Sequence, residues 1–137
     1  MKLCDTSVVV DIDRGGVAER VARLDDEGRH AISAVTVTEL RLGVNKGYDP
    51  ETAAYTDAVE ALDRLLARFD LLEVTRPIAI AAADIIASLQ DSGAALNDLH
   101  DVYIAATART EQLPVLTANV NHFERIPDLE VSDWEKY

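Results

Sequence analysis

The stretch NDLHDVYIAATARTEQLPVLTANVNHF, residues 97–123, decides how the chain folds. It reads as a helix that opens with carboxylates, a short turn, the apolar strand PVLT ending at Thr117, and a polar loop at that strand's carboxyl end. Asn97 caps the helix. Asp98 and Asp101 are three apart, so on a helix they share one face, one below the other. Ile104, Ala105, Ala106 and Ala108 give an apolar side made mostly of small residues, which lets a helix lie close against a sheet. Acids at a helix start are electrostatically ordinary, because the helix dipole favours negative charge there. Asp98 and Asp101 alone therefore argue for no chemistry.

The amino terminus changes that reading. KLCDTSVVVDI places Asp5 directly after a short apolar segment and before Thr6-Ser7, a pair that can cap a following helix or orient a ligand water. In an open α/β sheet, ligands bind outside the carboxyl ends of the strands, where Asp5 would stand. A second isolated acid, Glu39, lies in SAVTVTELRLGV, whose Val35, Leu40 and Val44 recur at helical spacing. Asp5, Glu39, Asp98 and Asp101 are scattered in sequence yet can converge in space. Oxygen ligands of this kind hold hard divalent cations such as magnesium or manganese.

The chain has 137 residues, 48% of them hydrophobic, which suits one domain spanning 1–137 with its own core. No apolar run approaches the roughly 20 residues of a membrane span, and no basic, apolar leader opens the chain; a soluble, cytoplasmic protein is expected. The lone Cys4 sits inside the first apolar segment as a small buried hydrophobe. The formal net charge is −12, from 25 acids against 13 bases, so the basic footprint usual for a nucleic-acid binder is missing from the chain as a whole. That does not exclude a phosphate-bearing substrate, because a metal held between carboxylates can itself recruit phosphate. Ten of the bases are Arg, and an acid-rich, Lys-poor surface suits a salt-rich cytoplasm, where self-repulsion is screened.

In chain order, Leu3 to Asp5 is a strand, and SVVVDIDRGG, residues 7–16, reads as a short helix capped by Thr6-Ser7 and ending at Gly15-Gly16, although the valine run also permits a continued strand. Val17 to Glu27 is an amphipathic helix stopped by Gly28. His30 to Ser33 is a second strand, with His30 an ordinary surface residue at its start. Thr36 to Val44 is the helix that carries Glu39, ended by the turn-rich Asn45 to Pro50. Glu51 to Phe69 reads as a long, half-covered helix that offers a partner surface, and Leu71 to Val74 as a third strand. Pro77 starts a helix that is apolar nearly all round through Leu89 and ends at Asp91-Ser92-Gly93. Val115 to Thr117 is the fourth strand and Glu130-Val131 a short last one. The alternation points to a three-layer α/β/α domain with a mostly parallel sheet.

Here the residues carry a likeness. Asp5-Thr6-Ser7, Thr38-Glu39-Leu40, Asp101 in DVYIAATA, and Thr117-Ala118-Asn119 followed by Phe123 resemble the PIN-domain nucleases, most closely the VapC-type toxins of toxin–antitoxin pairs. The likeness runs in order over nearly the whole chain. It implies a magnesium- or manganese-dependent endoribonuclease that cuts RNA such as transfer, ribosomal or messenger RNA. It also implies a homodimer inhibited by a small antitoxin whose tail occupies the acidic site. Carried over, Asp5, Glu39 and Asp101 match the acids that hold the metal, and Asp98 falls where some members carry a further acid. Asn119 stands where many members have a fourth Asp; its oxygen can ligate but brings no charge, which puts a second metal in doubt. In this reading the ion polarises the phosphate and activates an in-line water, so His100 and His122 are not needed as bases. Phe123 and Trp134 read as packing residues.

Two other classes stay open. VVVDID, residues 8–13, also resembles the strand and DxD of haloacid-dehalogenase-type phosphatases, with Asp11 as covalent phosphate acceptor. That family wants Thr or Val where Gly15 stands, and Lys2, Lys46 and Lys136 are poorly placed for its catalytic lysine. The other class is a catalytically weak PIN-like module that acts only by binding RNA or a partner.

Overall fold

Parallel strands need a crossover that returns the chain to the same end of the sheet, and helices between short apolar segments provide it. In the computed structural model, which describes residues 1–93 and 98–137, β1 (Leu3–Cys4), β2 (Ala31–Ser33), β3 (Asp70–Leu72), β4 (Val115–Thr117) and β5 (Val131–Asp133) form one sheet in the order β3-β2-β1-β4-β5. Every pairing is parallel. Between the strands run α1 (Thr6–Arg14), α2 (Ala18–Asp26), α3 (Ala34–Gly47), α4 (Ala53–Leu66), α5 (Arg76–Asp91), α6 (Leu99–Glu111) and the single turn α7 (Val120–Phe123).

Register divides the core into two halves. Leu3 lies level with Ala31 and Val115, and Cys4 with Leu116. Successive strand side chains point to opposite faces. Leu3, Ala31 and Val115 accordingly pack with Ile78 and Ile85 of α5, Ile104 and Ala105 of α6, and Phe123. Cys4, Ile32 and Leu116 pack on the other face with Val8 and Val9 of α1, Leu24 of α2, and Trp134. This is the expected three-layer α/β/α arrangement, with a sheet that is wholly parallel. Burial pushes the Cys4 thiol up to about 12, so it is an inert core group.

Several local expectations change. Residues 8–13 lie in α1, and the Asp11 carboxylate accepts the Trp134 indole N–H at 3.1 Å. Asp11 is thus a helix residue with a structural partner, not a strand-end nucleophile, and the phosphatase reading falls. Thr6-Ser7 do not cap α1; they form its first turn, and Asp5 holds the N-cap position without a capping bond. The expected Asn97 cap lies outside the described residues, and the Asp98 side chain accepts the His100 N–H at 2.8 Å at the start of α6. The α3 helix begins directly after Ser33, whose hydroxyl accepts the Val35 N–H, and it absorbs Asn45–Gly47, expected as a turn. On α5 the buried stripe is Ile78, Ala82, Ile85 and Leu89, while Ile80 is 54% exposed. That helix is amphipathic, because alanines elsewhere on its surface cost little to expose.

His30 is not a surface residue. It is 3% exposed, its Nδ1 accepts the Lys2 N–H at 3.0 Å, and its Nε2 lies 3.0 Å from the Leu24 carbonyl. Because Nδ1 accepts, Nε2 carries the proton and donates it. One ring thus ties the entry to β1 to the end of α2. Replacing His30 by Leu leaves the Lys2 N–H unpaired, while the Leu24 carbonyl keeps the Glu27 N–H at 3.1 Å, and a loss of roughly 1–3 kcal/mol is expected, read as a lower denaturant midpoint.

Candidate active site

Sheet order places the site. From β1 the chain winds outward through β2 and β3, then crosses back to place β4 on the other side of β1. The carboxyl ends of β1 and β4 are therefore the switch point of the sheet, where a crevice opens. Asp5 follows β1 directly, and the Thr117-Ala118-Asn119 segment leaves β4.

Asp5 is 4% exposed, and its backbone N–H donates to the Leu116 carbonyl at 2.9 Å. Its Oδ2 accepts two hydroxyls, Ser7 Oγ at 2.8 Å and Thr117 Oγ1 at 2.9 Å. Each hydroxyl accepts in turn from the loop after β4: Ser7 from the Ala118 N–H at 3.1 Å, Thr117 from the Asn119 N–H at 2.9 Å. The carboxylate thus anchors α1, β4 and the loop together. Every hydrogen bond that its side chain makes among the described residues falls on Oδ2, which leaves Oδ1 for the crevice.

Glu39 comes from α3. Thr6 Oγ1 donates to its Oε1 at 2.9 Å and, with its proton so used, accepts from Thr36 Oγ1 at 3.0 Å. Asp101, in the first turn of α6, has its Oδ2 3.0 Å from His122 Nδ1. His100 Nδ1 stands 3.4 Å from Asp98 and 3.8 Å from Glu39. Asp5, Glu39, Asp98, Asp101, Asn119 and His122 all line one groove. Asn119 is exposed at the start of α7, and Asp98 combines its place in the groove with its cap on α6.

The electrostatics are those of crowded acids. Burial raises the Asp101 carboxyl above its ordinary range; the charges of Asp5 and Asp98 raise it further and His122 opposes. Burial likewise raises Glu39, with Asp5 and Asp98 adding to the shift against the Thr6 hydrogen bond and His100. Residue spacing had grouped these four acids correctly. It did not single out the two imidazoles as carboxylate partners, because the His122 and Asp101 contact spans the turn after α6, β4 and α7. An apolar groove between α1, α3 and α4, lined by Val10, Leu40, Gly43, Leu62 and Leu65, adjoins the acidic one, and Val10 borders both.

The PIN domain family matches residues 2–129. Ribonuclease VapC1 of Rickettsia felis is 33% identical over 133 residues, covering 94% of this chain and 92% of the relative. The tRNA(fMet)-specific endonuclease VapC of Salmonella typhimurium is 31% identical over 106 residues, 77% of this chain and 76% of the relative. Among solved structures, a member of the VapBC family of toxin-antitoxin systems, VapBC-5 from Mycobacterium tuberculosis, superposes with a TM-score of 0.69 at 26% identity, covering 96% of this chain and 97% of that one.

The Asp5 anchor generates a prediction. Thr117→Val keeps the volume but removes one donor to Asp5 and the acceptor for the Asn119 N–H. A stability loss of about 1–3 kcal/mol is expected by chemical denaturation. A variant as stable as the parent would show that Ser7 alone holds the carboxylate.

Proposed function

This chain belongs to the PIN-domain family, among the VapC ribonucleases, and from that premise we propose a metal-dependent endoribonuclease acting as the toxin of a toxin–antitoxin pair. The observation that carries the reading is the convergence of Asp5, Glu39 and Asp101, from the end of β1, from α3 and from α6, in one groove at the sheet's switch point. Their donors are all carboxylate oxygens, the donor type that magnesium and manganese prefer. Among the described residues, no three acids, histidines or cysteines stand close enough together to hold an ion by themselves. An open set is compatible with magnesium, which keeps several waters and is usually bound by one or two carboxylates together with substrate phosphate. The residues fit the ion in charge and donor type.

A bound divalent ion polarises a phosphodiester and lowers the pKa of an attacking water. The chain's own residues prepare for that chemistry. Ser7 and Thr117 hold Asp5 through Oδ2, so Oδ1 keeps its direction towards the groove. Thr6 does the same for Glu39 through Oε1, leaving Oε2 available. Crowding keeps the carboxylates in a costly state, so a cation that neutralises them stabilises the fold as it binds. Asn119 stands on the rim as a neutral oxygen donor and adds no charge to attract a second ion. RNA is the substrate in this reading, and the tRNA specificity in the name of one relative makes transfer RNA the first class to try. The antitoxin is a protein partner for which the apolar groove beside the acids gives a surface, and exposed Leu71, Val74 and Ile80 support a homodimer. Among the described residues, no helix is long and apolar enough to cross a membrane.

Purified protein freed of antitoxin is expected to cut total RNA at discrete positions with magnesium or manganese and not with chelator. Asp5→Asn, Glu39→Gln and Asp101→Asn should each lose more than the roughly 10- to 100-fold typical of removing an outer-shell partner of a metal, while staying folded. Cutting that persists in Asp101→Asn would overturn the assignment. RNA binding without cleavage under either metal would favour the binding-module reading, in which Asn119 replaces a needed acid. A second expectation concerns stability. Manganese at about 100 times its dissociation constant should add roughly 2.7 kcal/mol to the parent, and much less to Asp5→Asn.

A further inference from the structure

We propose that Arg14 is the RNA-backbone contact of this site, gripping a phosphate that flanks the scissile one; the inference rests on the ribonuclease reading above. The groove is lined by six carboxylates, those of Asp5, Asp11, Glu39, Asp98, Asp101 and Glu135, against one side chain of fixed positive charge, Arg14. Even with one divalent ion bound, that lining repels a polyanion, so a fixed cation at the rim decides whether RNA stays.

Placement supports the role. Ser7, Val10, Asp11 and Arg14 all line the groove and recur on α1 at positions i, i+3, i+4 and i+7, so they form one helical stripe beginning beside Asp5. From Thr6 to Arg14 the helix rises about 12 Å, which puts the guanidinium beyond the scissile position. Helical side chains lean towards the amino terminus, so Arg14 leans back along the stripe towards the acids. Among the described residues Arg14 makes no ion pair, whereas nearby Arg20 is taken by Glu135 and Asp11 is engaged by Trp134. An unpaired guanidinium on an acidic groove suits bidentate binding of phosphate oxygens.

The experiment compares the parent, Arg14→Ala and Arg14→Lys in cleavage of one RNA substrate. It also measures binding of a short fluorescein-labelled single-stranded RNA across a salt series, on the Asp101→Asn background so that the RNA stays intact. Arg14→Ala is expected to raise KM roughly tenfold with little change in kcat. Its plot of log affinity against log salt should be shallower by about 0.7, one single-strand phosphate contact. Arg14→Lys should restore the salt slope but only part of the affinity. Unchanged KM and salt slope in Arg14→Ala, with the parent active, overturn the proposal and leave the ribonuclease reading standing. So does a loss matched by a lower melting midpoint and not repaired by lysine, which would make Arg14 a helix-end residue only. A parent that cuts no RNA removes the ribonuclease reading itself.

Discussion

The buried carboxylate of Asp5 is the constraint on which the rest of the site depends. Taking an acid to 4% exposure is costly unless it is well hydrogen-bonded, and here two hydroxyls meet the cost on a single oxygen. Ser7 comes from the first turn of α1 and Thr117 from the end of β4, so the same two bonds close the switch point of the sheet. Because each hydroxyl also accepts from the loop after β4, the position of Asn119 and the start of α7 follow from the same atoms. Structure and chemistry share one anchor.

From that anchor the electrostatics follow. Glu39 and Asp101 are brought near Asp5 by helices packed for other reasons: α6 is held by its apolar small-residue face, and α3 starts from the Ser33 cap at the end of β2. Their carboxyls shift upward through burial and mutual repulsion, the kind of perturbation that clusters at functional sites. His100 and His122 offset part of it within the chain. A divalent cation and the phosphates it attracts would meet the remainder.

How much could be read in advance depended on how local the cause was. Strand β4 and the helix before it were legible because alanines, apolar residues and turn residues fall in the right order within a few positions. The four acids were legible as a group because each stands at a strand end or on a helix face that the fold turns inward. Thr6-Ser7 read as a cap because the distant partners that use those hydroxyls, Glu39 and Ala118, are 33 and 111 residues away. His30 looked like a surface residue because its burial depends on the Lys2 backbone, 28 residues distant. Asp11 imitated a phosphatase motif for the same reason: its partner Trp134 lies 123 residues along the chain. Local signals gave elements, and distant contacts gave the roles of polar side chains.

The central claim is that Asp5, Glu39 and Asp101 form one cation site. The most direct measurement is a crystal structure of the manganese-soaked protein, with the ion located by its anomalous scattering. The account predicts a peak in the groove at the carboxyl ends of β1 and β4, within about 2–2.5 Å of carboxylate oxygens from at least two of these three residues. Manganese bound elsewhere, or an empty groove at concentrations that support cleavage, would contradict it.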